Sequence, residues 1–230
     1  MKAFVINFNR LTWTKKLCED LTKVGCEVII IDNGSTYQPL IDWYFSKDFP
    51  YTRYILPNFF GHRSLWQAGL IDFYKDEYYL VTDHDLDISQ VPVDFIEVLT
   101  NELKVNGKIK AGLSLRIDDL PDSDYTKEVI EWETKFWETK TTRGTYDSDV
   151  DTTLAIYDRA RTEEVSRDIS NNFFSATRTP QPYTARHLPW YNTVDNLTPE
   201  EIYYMNNTRR SAYWTNKFMK HNGIERIAGN

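Results

Sequence analysis

Four short apolar runs, each followed by a stretch of different periodicity, organise the first half of the chain. AFVIN (3–7) leads into a helical pattern from Thr12 to Val24, EVIII (27–31) into a short one from Gln38 to Phe45, and TRYIL (52–56) into the loop NFFGHR. A helix from about Ser64 to Tyr74 then precedes the fourth run, YYLVT. Continuous apolar runs suit strands buried on both faces, and helices between them make crossovers, so the pattern predicts βαβ units. Leu17, Leu21 and Val24 give the first helix an apolar stripe at helical spacing. Pro92, as a pre-set first-turn residue, opens a further helix, and KAGLSLRI reads as another strand. The expected fold is a single α/β domain with a Rossmann-like, mostly parallel central sheet flanked by helices. A length of 230 residues suffices for one sizeable core.

After Asp118 the pattern loosens. A polar segment, DDLPDSDY, precedes an aromatic helical run, KEVIEWETKFWET, and a strand-like TTLAIYDR. Proline-punctuated loops, RTPQPYTARHLPWYN, lead to a helical tail near Thr198, where Thr-Pro-Glu-Glu supplies a cap and first-turn carboxylates.

Composition excludes some functions. A net charge of -7 argues against extended nucleic-acid binding, which draws affinity from Lys and Arg neutralising phosphates. Cys18 and Cys26 lack metal-ligand spacing, which fits a reducing compartment, and no apolar run of membrane-spanning length or secretory h-region occurs; a cytoplasmic protein is expected. The N-x-S/T triplets at Asn33, Asn196 and Asn206 matter only in a secreted chain.

Ligands of open parallel sheets bind beyond the carboxyl ends of the strands, so residues just after strands are the informative ones. Three places qualify. Asn7 to Arg10 follow the first strand, with Arg10 suited to a phosphate. Asp32 ends an apolar strand and Asn33-Gly34 turns the chain, which would leave carboxylate acceptors for a ribose hydroxyl or a base imide. Asp83, Asp85 and Asp87 fall within five residues after YYLVT, hard oxygen ligands that suit Mg²⁺ or Mn²⁺. No G-x-G-x-x-G follows the first strand, so a diphosphate would need such a cation as its clamp.

FVINFNR, IIIDNGST and VTDHDLD resemble the nucleotide-binding half of GT-A glycosyltransferases, especially the large inverting family with bacterial and viral members. The resemblance implies a donor-binding half over 1–115 and an acceptor-binding half over 116–230 of the same domain. It implies that Asp32 holds base or ribose, that Asp83 opens the D-x-D motif near the ribose, and that Asp85 binds the metal. Asp85-Leu86-Asp87 spells D-x-D as well, leaving Asp87 as a ligand in the other register. NFFGHRSLW resembles the segment that brings a basic residue to the nucleotide, nominating Arg63 and, behind it, His62. EWETKFWE, DTTLAIY and YTARHLPWY resemble acceptor-half segments, and His187, with Arg186 beside it, would join the metal or a phosphate. The implied partners are a nucleotide-sugar donor, UDP-linked by the family's weight, and a glycan or other hydroxyl acceptor. Inversion needs a base for the acceptor hydroxyl. Glu133, between Trp132 and Trp137, is the first candidate, its pKa raised by desolvation; Asp151, before an apolar strand, is the second.

Two other classes compete. Apolar residues followed by D-x-D also describe a haloacid-dehalogenase-like phosphohydrolase, with Asp83 as nucleophile, Asp85 as acid and base, and Asp118-Asp119 as a later acidic pair. A non-catalytic carbohydrate-binding module would suit the fifteen Tyr and seven Trp.

Overall fold

A computed structural model describes residues 1–163, 171–208 and 212–226. Strands β1 (Lys2–Asn7), β2 (Glu27–Asp32), β3 (Thr52–Ile55) and β4 (Tyr78–Asp83) lie parallel in the order β3-β2-β1-β4. Helices α1 (Thr12–Lys23) and α2 (Gln38–Tyr44) make the first two crossovers. Along β1, Ala3 and Val5 enter one core layer while Phe4 and Ile6 enter the other, and Val28 and Ile30 alternate with Ile29 and Ile31 along β2. A strand buried on both faces has no polar side to display, which is why these runs carry no polar alternation.

The chain then adds shorter strands: β5 (Leu86–Asp87), β6 (Lys110–Gly112), β7 (Ser114–Leu115), β8 (Tyr146–Asp147), β9 (Ala155–Asp158), β10 (Ala176–Arg178) and β11 (Thr184–His187). The large sheet continues past β4 as β9-β6-β10-β8, with β9 antiparallel to both neighbours; β5, β11 and β7 form a second, three-stranded sheet. The sheet is therefore mixed. The expected halves at 1–115 and 116–230 share it, since β9 from the second lies between β4 and β6 from the first.

Further helices are α3 (Ser64–Gln67), α4 (Phe95–Asn106), α5 (Asp124–Thr134), α6 (Arg159–Glu163), α7 (Pro199–Asn207) and α8 (Tyr213–His221). Leu17 and Leu21 of α1 and Leu99 and Leu103 of α4 cover one sheet face; Leu65, Trp66, Leu70, Ile71 and Phe173 cover the other. Each such aliphatic side chain contributes roughly 1.5–3 kcal/mol on burial.

Local expectations fail where a glycine or a tertiary pairing intervenes. The helix foreseen over Ser64 to Tyr74 is a single turn, α3, stopped by Gly69 at φ 70° in the left-handed region and followed by a 3₁₀ turn over Leu70–Phe73. Pro92 does not open α4; its carbonyl accepts from the Phe95 amide in the preceding turn. KAGLSLRI is split between the two sheets at Leu113. Gly112 is the close-packed point there, since a Cβ would come within 3.1 Å of Ala155 Cβ, the Leu154 carbonyl and Val150 Cγ1. No helix among the described residues is long and apolar enough to cross a membrane.

The cap read at Thr198 is present: its Oγ accepts from the Glu201 amide at 3.2 Å and Glu201 Oε2 from the Thr198 amide at 2.7 Å. Glu200 reaches further, accepting from the amides of Leu11 (2.8 Å) and Thr12 (3.1 Å) and from Thr12 Oγ (2.8 Å). Leu11 supplies no side-chain cap to α1, so a carboxylate from α7 satisfies that helix N-terminus. Glu200→Ala is expected to cost about 1–2 kcal/mol in urea unfolding, the loss typical of an N-terminal cap.

Candidate active site

A cavity of about 810 Å³ opens beyond the carboxyl ends of β1 and β4, walled on its far side by α5, α8 and the segment after β11. Asn7, Asn33, Asp83, Asp85, Glu133, Asp151 and His187 line it. Five of these, Asn7, Asn33, Asp83, Asp85 and His187, come from strand ends or the residues just beyond them, which is where an α/β sheet presents side chains to a ligand.

Asp83 ends β4 and accepts from Thr152 Oγ at 2.9 Å on both carboxylate oxygens. Burial raises its pKa well above the ordinary value, and the negative charges of Asp85 and Asp151 add to the rise. Asp85 goes the other way. Burial alone would raise it, but His187, then His84 and Arg10, hold it well below the usual carboxylate range. Two carboxyls two residues apart thus favour opposite protonation states.

Pairing of β5 with β11 sets His187 opposite Leu86, and the Leu188 amide donates to the Asp85 carbonyl at 2.8 Å. This brings His187 Nε2 to 3.4 Å from Asp85 Oδ2. Asp85 Oδ1, His187 Nδ1 and His84 Nε2 are buried without a hydrogen-bond partner, an uncommon condition for interior polar atoms. Among the described residues no three His, Cys, Asp or Glu side chains gather as a ligand cluster. A carboxylate, an imidazole and unpartnered acceptor atoms on one cavity wall nevertheless fit a divalent cation that completes its shell with ligand oxygens. Asp87 does not belong to this set. Its Oδ1 accepts from the Ser89 amide, its Oδ2 lies 3.7 Å from Arg186, and it is not part of the cavity wall. Arg186, its cross-strand partner on β11, turns to Asp119 as well. The cavity-facing register is therefore Asp83-His84-Asp85.

Three of the expected nucleotide contacts are buried away from the cavity wall. Asp32 is buried; its carboxylate accepts from the Ser35 amide (2.7 Å), Ser35 Oγ (2.6 Å) and Tyr44 Oη (2.9 Å), so its acceptors are taken rather than open, and it does not line the cavity. Arg10 is buried between the rings of Trp13 (4.1 Å) and Tyr204 (4.0 Å), behind the wall that Tyr204 forms. Arg63 is buried against Phe173 and Phe174, at 4.1 and 5.2 Å, also off the wall. Asn7 and Asn33 do face the cavity. Asn7 Nδ2 donates to the Arg10 carbonyl and to Tyr44 Oη, and Asn33 ties the loop after β3 through Gly61 O and the Phe60 amide.

Glu133, in the last turn of α5, is 2 % exposed, and its Oε1 lies 2.5 Å from Arg178 Nη1. Arg178 Nε donates to the Asp149 carbonyl at 2.7 Å and its guanidinium stacks on Phe136 at 4.2 Å. Burial raises the Glu133 pKa against the lowering effect of Arg178. Of the two tryptophans read as flanking it, Trp132 lines the cavity; Trp137 packs on Tyr146 at 5.4 Å, and Phe136 takes its place. Asp151 is open at the cavity mouth, 3.7 Å from His62 Nε2. Arg178, Thr152, His84, Trp190, Tyr213 and Trp214 were not singled out from the sequence; His84 and Thr152 adjoin the aspartates in the chain, and no spacing links the other four to them.

Lys110 lies behind this site, with Nζ donating to the Asp151 carbonyl at 2.8 Å and to Tyr157 Oη at 3.2 Å. Burial lowers its pKa to about 7, against the raising effect of Asp151. A lysine with a depressed folded pKa carries a penalty that is complete below pH 7, shrinks as pH rises, and is gone above its ordinary value near 10.5. Lys110→Met is therefore expected to stabilise the fold at pH 6 by roughly 2 kcal/mol net of the two lost hydrogen bonds. The gain should vanish or reverse near pH 10, read by urea midpoints at both pH values.

The sequence matches no model of a known protein family, and no curated protein matches it.

Proposed function

We propose that this chain is a metal-dependent glycosyltransferase of the GT-A type, which moves a sugar from a nucleoside-diphosphate donor, UDP-linked by the sequence resemblance, to a hydroxyl acceptor with inversion. The observation that carries the reading is the meeting of Asp85 and His187 on the cavity wall, 3.4 Å apart, each with a buried unpartnered atom. Asp85 and His187 would hold Mn²⁺ or Mg²⁺. Such an ion, when bound, neutralises charge developing on a departing diphosphate.

Asp83, fixed at the end of β4 by Thr152 Oγ, would meet a hydroxyl of the donor. Asn7 and Asn33 line the part of the cavity nearest β1 and β2, where the nucleoside would lie. Glu133 takes the proton of the acceptor hydroxyl as its oxygen attacks the anomeric carbon. The bond from that carbon to the diphosphate breaks, and the diphosphate leaves with the electron pair. Raised basicity through burial and orientation by Arg178 suit Glu133 to this role; Asp151, solvated at the mouth, would receive acceptor hydroxyls. The phosphohydrolase reading fares worse because its later acidic pair, Asp118 and Asp119, is engaged by Arg116, Gln181, Arg186 and Tyr191 outside the cavity.

The test is a thermal-shift panel of UDP, GDP and dTDP, each with Mn²⁺ and with chelator. A rise in Tm with one nucleotide only when metal is present supports the reading; no rise with any of them sinks it. Glu133→Gln should slow transfer by about 10²–10⁴-fold with donor binding retained.

A further inference from the structure

A line of aromatic rings runs from the metal-holding pair to the cavity rim. His187 meets Trp190 with ring centroids 4.7 Å apart, Trp190 meets Trp214 at 5.9 Å, and Trp214 meets Trp132 at 6.4 Å and Tyr213 at 5.1 Å. All of these residues line the cavity. At the inner end Trp190 is 1 % exposed; at the outer end Trp132 and Tyr213 are 45 % and 55 % exposed, large apolar rings left in solvent beside one another at 6.5 Å. The packing gives a reason for the inner rings, since Trp190 closes the core under His187. The outer two have lighter partners, Phe136 at 6.0 Å and Lys135 at 5.0 Å for Trp132 and Lys217 at 5.7 Å for Tyr213; they come from different helices, α5 and α8, and still converge on the same rim.

The charge around this line is one-sided. Asp149, Asp151, Glu133 and Asp85 share the cavity, and its wall holds Arg178, His62, His84 and His187 on the basic side, with Arg178 already committed to Glu133. An anionic acceptor would be repelled from the mouth, and an alkyl chain would strand the carboxylates without donors. Carboxylates beside flat rings match a molecule that has hydroxyl donors on its edges and C–H faces above and below. That is a neutral sugar. From His187 the ring path to Trp132 takes three steps, of 4.7, 5.9 and 6.4 Å, a path longer than one sugar ring, so an acceptor that follows it from the inner end to the rim has more than one unit.

We infer that the acceptor is a neutral oligosaccharide of at least two units, with its terminal sugar beside Glu133 and Asp151 and a following unit stacked on Trp132 and Tyr213. The inference rests on the glycosyltransferase reading and narrows its acceptor class. Trp132 and Tyr213 act here as binding residues that favour longer acceptors over a lone monosaccharide.

The experiment uses the whole chain and a panel of neutral mono-, di- and trisaccharides of hexopyranoses, with a sulfated disaccharide as the anionic probe. Binding is followed by tryptophan fluorescence and ligand-observed NMR. At least one di- or trisaccharide is expected to bind at least tenfold more tightly than its monosaccharide, with no binding of the sulfated probe. Trp132→Ala and Tyr213→Ala should each weaken that oligosaccharide by roughly tenfold, the scale of one lost aromatic face. Trp132→Phe should restore most of it, and metal-dependent UDP binding should be unchanged in all three variants. Equal affinity for mono- and oligosaccharides, unaltered affinity in both alanine variants, or no sugar bound by wild type would overturn the inference even if UDP binds with Mn²⁺. Oligosaccharide binding that depends on Trp132 without any nucleotide binding would instead remove the transferase reading and leave the sugar platform standing.

Discussion

Asp85→Asn is expected to abolish the Mn²⁺-dependent rise in Tm with UDP and to lower transfer at least 10³-fold, while the protein stays folded. The amide keeps the volume and one acceptor of the carboxylate but not its charge, and a hard divalent cation is held by charge and oxygen together. Position 85 also takes part in folding. Its carboxyl is held below the usual range by His187, His84 and Arg10, so it contributes stability above its ordinary pKa, and that part is lost in the variant near neutral pH. The ligand-induced shift must therefore be read against each protein's own metal-free Tm. Asp87→Asn is the control, because Asp87 faces Ser89 and Arg186 and should leave the shift within experimental error. Equal nucleotide shifts in wild type and Asp85→Asn would refute the metal assignment, and a loss confined to Asp87→Asn would restore the other register.

Arg178→Met is expected to destabilise the fold by about 3–5 kcal/mol, the cost of leaving one partner of a buried ion pair without the other. Both side chains are nearly inaccessible, at 5 % and 3 %, and Arg178 also supplies the Asp149 carbonyl with a donor. Without the guanidinium, burial acts on Glu133 against only the weaker lowering effects of His187 and the Leu115 backbone, raising its pKa further. A carboxyl with a raised folded pKa is destabilising above its ordinary value, so the defect should be larger at pH 8 than at pH 5. Glu133→Leu combined with Arg178→Met removes both charges and should recover most of the stability, since a well-packed apolar pair often equals or exceeds a buried salt bridge. That double variant should remain inactive in transfer while it still binds nucleotide and metal. Urea midpoints at the two pH values decide the matter, and a single-variant loss under about 1 kcal/mol would mean the pair is solvated in solution.

Periodicity and capping were legible without the structure. β1, β2 and β4 follow from apolar runs, α1 from Leu17 and Leu21, and the start of α7 from Thr198 and Glu201, because each of these signals is written by residues within a few positions of one another. The placement of Asp83 and Asp85 beyond a strand end was legible for the same reason. Contacts between distant segments were not. Thr152 is 69 residues from the Asp83 it contacts, Arg178 is 45 from Glu133, and Glu200 is 189 from the Leu11 amide it caps.

The sequence by itself determined a layered α/β domain with acidic residues gathered past its fourth strand, since side-chain alternation and helical spacing are local consequences of backbone geometry. Only the tertiary structure decided that Asp87 turns from the cavity while Asp85 meets His187, that Asp32 is consumed by Ser35 and Tyr44, and that β9 runs against its neighbours. Those outcomes depend on which strands pair and in which register, and pairing is settled by burying the whole core at once rather than by any stretch of residues alone.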